Sequence, residues 1–169
     1  RMTLMRNASG RFENRWVRLR AEDSACQFAG GLGVMSMPVR HGEGRVLFAS
    51  DDDRKKMEEN KQIVFRYSDA AGQRADAYPL NPNGSADAIA GVCNPAGNVL
   101  GLMPHPECHT RYAHSPAWTR TPPEKHKKPA GFFEQLAASF GLSSAPAPPS
   151  DEGNCVPLFA NLAGAARKF

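Results

Sequence analysis

Apolar and polar positions alternate early in the chain. In 15–20, RWVRLR, Trp16, Val17 and Leu19 stand among arginines, which predicts a strand with at least one wet face. A second extended run, VMSMPVR at 34–40, is broken by the glycine-rich turn HGEG at 41–44 before RVLFA resumes it. At 51–61, DDDRKKMEENK puts carboxylates before lysines, predicting a short exposed helix capped by Asp and aligned with its own dipole. QIVFRYSD at 62–69 is rich in β-branched and aromatic residues and stops at AAGQ, as a hairpin strand does. YPLNPNGS at 78–85 cannot be helical, because its prolines and Asn83-Gly84 impose turn geometry. DAIAGVC and VLGLMP then flank NPAGN, the pattern of two buried strands joined by a tight turn. The second of them carries His105 at its carboxyl end.

Beyond Glu107 the character changes. Segments 119–130 and 143–153 are rich in proline, lysine and serine, a composition that buries little apolar area. Between them GFFEQLAASFG has Phe132, Phe133, Leu136 and Phe140 at helical spacing. The closing segment sets Cys155, Phe159, Leu162, Ala166 and Phe169 on one helical face, which should dock on the core. The chain thus reads as one domain made of 1–118 and 154–169, with 119–153 as a surface insertion.

Composition narrows the class. The 21 basic residues are scattered among 17 acidic ones, so the net charge of +4 forms no stripe and nucleic acid is not an expected partner. No apolar stretch approaches the roughly 18 residues a membrane helix needs, so no membrane partner is expected. The four cysteines, Cys26, Cys93, Cys108 and Cys155, show no CxxC spacing, and a reducing cytoplasm is the expected compartment. The chain starts at Arg1, which brings processing or truncation into consideration.

Chemistry concentrates in GLMPHPE at 101–107. If His105 and Glu107 lie at a strand end, their side chains point the same way, and Pro106 stiffens the spacing. A carboxylate that orients an imidazole is the base half of a nucleophilic triad; an isolated pair of this kind also fits a satisfied histidine in a proline-rich turn. Cys93 in GVCN looks like the start of a nucleophile elbow, but the strand that follows Asn98 comes too soon for the helix an elbow requires. Glu107, Cys108, His109 and His114 add metal-ligating groups near His105, at spacings that match no well-formed zinc pattern. HGEGR at 41–45 fits a simple loop or the lining of a polar ligand's site.

Four ordered blocks go further: NASGRFENRWVRL from Asn7, PVRHGEGR from Pro38, YPLNPNGS from Tyr78 and IAGVCNPAGNVLGLMPHPE from Ile89. Together they resemble the glutaminase, or class I glutamine amidotransferase, part of phosphoribosylformylglycinamidine synthase. The resemblance covers roughly residues 4–107, with a weaker echo in SPAWTR and the closing helix. It implies a three-layer α/β sandwich with a flavodoxin-like central sheet, present as its carboxyl-terminal part. It implies release of ammonia from L-glutamine through a thioester, for amidation of a formylglycinamide ribonucleotide in purine biosynthesis. His105 would be the base and Glu107 its orienter, with His41, Gly42, Glu43 and Gly44 where the family lines its glutamine pocket. The family's nucleophile stands in G-[IV]-C-N-G ahead of the RFENRW block, and these residues contain no such segment, so the chain alone is expected to be inactive. The chain also has no P-loop, which leaves ATP and Mg to a synthase subunit or domain as partner and no cofactor to this chain. The rival expectations are a non-catalytic docking module and a metal-binding module around His105–His109.

Overall fold

A computed structural model describes residues 1–120 and 152–167, in which seven strands and two α-helices form; the first strand, Met2–Arg6, lies ahead of every pattern read from the sequence. The helical spacing at 131–141, the lysine run at 125–128 and Phe169 lie outside the described residues. β2 (Glu13–Ala21) pairs antiparallel with β3 (Val34–His41), with Val17 opposite Met37, Leu19 opposite Met35 and Glu13 opposite His41. Opposed residues share a face, so Val17, Leu19, Met35, Met37 and Val39 form one buried row while Arg18 stays wet.

β5 (Ile63–Ser68), β6 (Ile89–Cys93) and β7 (Leu100–Leu102) complete a five-stranded sheet in the order β3-β2-β5-β6-β7. Every ladder among the described residues is antiparallel. β7 is an edge and only half buried, where the sequence pattern suggested a buried strand, because Val99 and Gly101 face solvent. β5 is buried at every position, and even Arg66 is 3% exposed. Its guanidinium bonds Glu58 at 2.7 Å and the Asp87 carbonyl at 2.6 Å, which offsets the cost of burying the charge.

β4 (Glu43–Phe48) corrects the reading of HGEG as a turn within one run. It pairs not with β3 but with β1 (Met2–Arg6), forming a second, two-stranded sheet. The chain changes sheets at Gly44, whose φ of +105° residues with a side chain rarely adopt. Val46 of β4 packs with Ile63 and Ile89, joining this ribbon to the larger sheet.

α1 (Asp51–Glu59) is exposed as expected, but its cap is Ser50, whose Oγ accepts the Asp53 N–H at 3.2 Å. The aspartates occupy the first turn instead, where they meet the positive end of the dipole. α2 (Val156–Ala166) docks on the core through Cys155, Leu158, Leu162 and Ala165, while Phe159 and Ala166 face outward. The expected face is therefore rotated by about one residue. Asn161 sets that rotation by donating to the Phe28 and Gly30 carbonyls at 3.0 and 2.9 Å. Among the described residues no helix is long and apolar enough to cross a membrane.

Candidate active site

Three separated blocks of sequence meet in one polar knot. The Asn7 N–H donates to the Gly42 carbonyl at 3.0 Å, and the Ala8 N–H to the Asn83 carbonyl at 3.0 Å. Asn83 donates to the Gly44 carbonyl at 3.0 Å, and Ser85 Oγ accepts the Val46 N–H at 3.0 Å. Asn7, Asn81, Asn83 and Ser85 are all buried and partnered, so each of these bonds closes a group that would otherwise be costly to bury. Gly84, at φ +74°, leaves space that a Cβ would take from Ala8 at 2.8 Å. The glycine corner at 41–44 is thereby fixed from both sides.

β7 leads the chain past this corner. Met103 lies so close to Gly44 that a Cβ there would come within 2.7 Å of its Cγ. The His105 N–H then donates to the Pro38 carbonyl of β3 at 2.9 Å. Glu107 sits not on a strand but on a 3-10 turn, Pro106–His109, and this turn brings its carboxylate back over the preceding residue. The result is the pair the spacing suggested: His105 Nδ1 and Glu107 Oε1 are 2.7 Å apart, with both side chains partly open to solvent. Burial alone would raise the Glu107 carboxyl, but a backbone N–H bond and the hydrogen bond with His105 outweigh it and hold the group below its ordinary value. An ionised Glu107 can only accept, so it takes a hydrogen bond from His105 Nδ1–H and directs Nε2 away from the pair, the arrangement of a general base with its orienter.

The other candidates separate. His41 is 4% exposed and faces Asn7 Oδ1 through Nδ1 at 3.1 Å; burial lowers its proton affinity. Gly44 is buried too, whereas Gly42 and Glu43 are exposed, so the four binding candidates do not share one surface.

The thiols separate from the base as well. Cys93 is buried in the core, and desolvation pushes its thiol up. Cys155 is pushed up to about 12 by burial, with the Glu107 charge adding to the effect. Neither is a reactive thiolate. Cys108 Sγ lies 3.8 Å from Glu107 Oε1, and among the described residues no thiol is bonded to His105. The suggested metal cluster is divided by His109, which turns inward to bond the Ser36 carbonyl at 2.6 Å and meets Trp16 edge-on at 5.0 Å. No group of three or more His, Cys, Asp or Glu residues suited to a metal occurs among the described residues. Sequence reasoning missed the structural weight of Asn7, whose side chain ties the 41–42 corner to the Arg11 carbonyl; its only signal was its place at the head of the first resemblance block.

The chain belongs to the CobB/CobQ-like glutamine amidotransferase domain family, which it matches over residues 1–139. Within that family it is similar to phosphoribosylformylglycinamidine synthase subunit PurQ. It is 47% identical to that subunit of Methanococcus maripaludis over 102 residues, 60% of this chain and 37% of that protein. With the subunit of Archaeoglobus fulgidus it shares 48% over 111 residues, 63% of this chain and 41% of that one. The solved structure of PurLQS from Thermotoga maritima has the same fold at a TM-score of 0.57 and 23% identity, covering 98% of this chain and 53% of that chain. The chain therefore spans about two-fifths of the length of the curated relatives it matches.

Proposed function

We propose that this chain is the base-bearing part of a glutaminase that supplies ammonia to phosphoribosylformylglycinamidine synthase. The observation that carries the reading is the 2.7 Å contact between His105 Nδ1 and Glu107 Oε1 on a fixed backbone corner. On this reading the thiol belongs to a segment outside these 169 residues. Its proton passes to His105 Nε2 as sulfur bonds the amide carbon of L-glutamine. The proton then leaves with the departing ammonia, and water cleaves the thioester to glutamate. Glu107 stabilises the imidazolium between the two transfers. The greater length of the PurQ relatives and their name as a synthase subunit support a missing thiol segment and a synthase partner. That partner would hold ATP and Mg.

The same reading makes the antiparallel sheet the carboxyl-terminal part of a three-layer, flavodoxin-like sandwich in the cytoplasm. Residues 1–118 and 154–169 belong to that domain, with 119–153 as an excursion whose last residues, Glu152 and Gly153, rejoin it beside Arg111 and Thr110. Ammonia release by the complete protein and its Glu107→Gln variant tests the assignment. The substitution should lower turnover by roughly 10²- to 10⁴-fold, and full retention of activity overturns it.

A further inference from the structure

Two thiols far apart in the sequence meet beside one backbone oxygen. The Lys61 carbonyl accepts the Ala25 N–H at 2.8 Å and lies 3.9 Å from Cys93 Sγ. The Gln27 N–H donates to the Gly97 carbonyl at 2.9 Å, so Cys26 is held between a bond at 25 and a bond at 27. Both side chains enter the same core cluster, and the two thiols are in hydrogen-bonding contact. The other two thiols meet oxygens instead. Cys108 Sγ lies 3.8 Å from Glu107 Oε1, and Cys155 Sγ lies 3.5 Å from the Ser36 carbonyl and 3.7 Å from Asn154 Oδ1.

The pair is buried but not sealed. Cys26 lines a cavity of about 280 Å³ together with Glu22, Asp23, Ser24, Ala29 and Leu32. A water molecule needs only about 10–15 Å³ of such space, so a peroxide has room to reach the sulfur. Ser24 Oγ, buried and without a partner among the described residues, is a hydroxyl free to donate to a peroxide oxygen there. Cys93 does not line this cavity, and desolvation keeps its thiol protonated. One sulfur therefore faces the oxidant and the other stands behind it, the arrangement of an attacking thiol with a resolving one.

We propose that Cys26 and Cys93 form a redox modification site, which hydrogen peroxide converts from a dithiol to an intramolecular disulfide. The Cys26 sulfur, its proton released, attacks one peroxide oxygen; the O–O bond breaks, and the other oxygen departs as hydroxide and takes up that proton. The Cys93 sulfur then attacks the resulting sulfenic sulfur, the S–O bond breaks, and the oxygen leaves with the Cys93 proton as water. Two electrons pass from the sulfurs to the peroxide, which becomes two waters. The sulfurs close from contact to about 2.05 Å. Gly30, Gly31 and Gly33, each with open space around it, let the loop between β2 and β3 follow. The bond staples that loop to the end of β6, just ahead of the turn into β7. In a reducing compartment the resting form is the free dithiol, as all four cysteines are here, and the disulfide marks exposure to oxidant. The site stands independently of the glutaminase reading.

Peptide mapping tests it. The folded complete protein is treated with hydrogen peroxide, its remaining thiols are blocked with iodoacetamide, and it is unfolded and digested. Trypsin leaves Cys93 and Cys108 together on 75–111, so chymotrypsin, cutting after Leu100 or Leu102, is needed to part them. The expected product is a link between Cys26 and Cys93, lighter by two hydrogens than the separate peptides and reversed by dithiothreitol. Cys108→Ser should keep the link, and the same treatment in urea should scatter links among the thiols. A link from either residue to any other thiol, or the same scatter in folded and unfolded protein, overturns the proposal. So does the absence of the link at a peroxide excess that fully oxidises Cys108.

Discussion

At the residue scale, the two imidazoles of the corner differ in burial: His41 is closed off and His105 is partly open. Burial lowers the proton affinity of His41 when folded, whereas in the unfolded chain the same ring takes a proton near its ordinary value of 6.5. The unfolded state therefore binds more protons below that pH, and folding stability falls on acidification through this window. Thermal unfolding between pH 8 and 5 should show a loss of Tm below about pH 6.5 that is smaller in His41→Asn; equal losses in both proteins would remove His41 as the cause. Glu107 adds to the same trend at lower pH, because its depressed carboxyl favours the folded state until it is protonated. The His105–Glu107 pair was legible in the sequence, as two chemically matched residues about a proline. The burial of His41 was not, since it depends on packing against Asn7, 34 positions away.

At the element scale, two features decide stability. Gly44 combines a φ of +105° with a side chain already resting on its Cα, so Gly44→Ala should cost about 1–3 kcal/mol in urea unfolding. A neutral substitution would mean the strand-to-strand passage is looser than its geometry. The rotation of α2 is testable in the same way. Leu158→Ala should cost about 2–5 kcal/mol, and Phe159→Ala less than about 1 kcal/mol, because Leu158 is 1% exposed and Phe159 37%. The reverse ranking would restore the face the apolar spacing suggested. That spacing erred because Cys155, Phe159 and Leu162 suit a helical stripe as well as Cys155, Leu158 and Leu162 do. A polar residue, Asn161, chose between them by reaching the 28–30 backbone.

At the scale of the whole molecule, the described residues leave apolar surface unpaired. β1 and β7 are edges, Leu4 and Met5 are about half exposed, and a cleft of about 260 Å³ between the two sheets is lined by Met2, Leu4, Val46, Ile89, Leu102 and Met103. Unpaired edges over apolar surface favour association. The isolated chain should show a thermal midpoint that changes with protein concentration, read by calorimetry at two concentrations at least tenfold apart. A concentration-independent, cooperative transition would show that this surface is satisfied within one chain.

By itself the sequence determined the strands from Glu13 onward, the exposed helix, the turns at 78–85 and 94–98 and the pairing of His105 with Glu107. Each depends on local periodicity, turn chemistry or neighbours two positions apart. Only the tertiary structure decided that β4 leaves β3 for β1, that α2 presents Leu158, and that His41 faces inward against Asn7. Those outcomes rest on contacts between positions tens of residues apart, where many pairings satisfy the same local pattern and only burial of the polar knot at Asn7, Gly44 and Asn83 selects one.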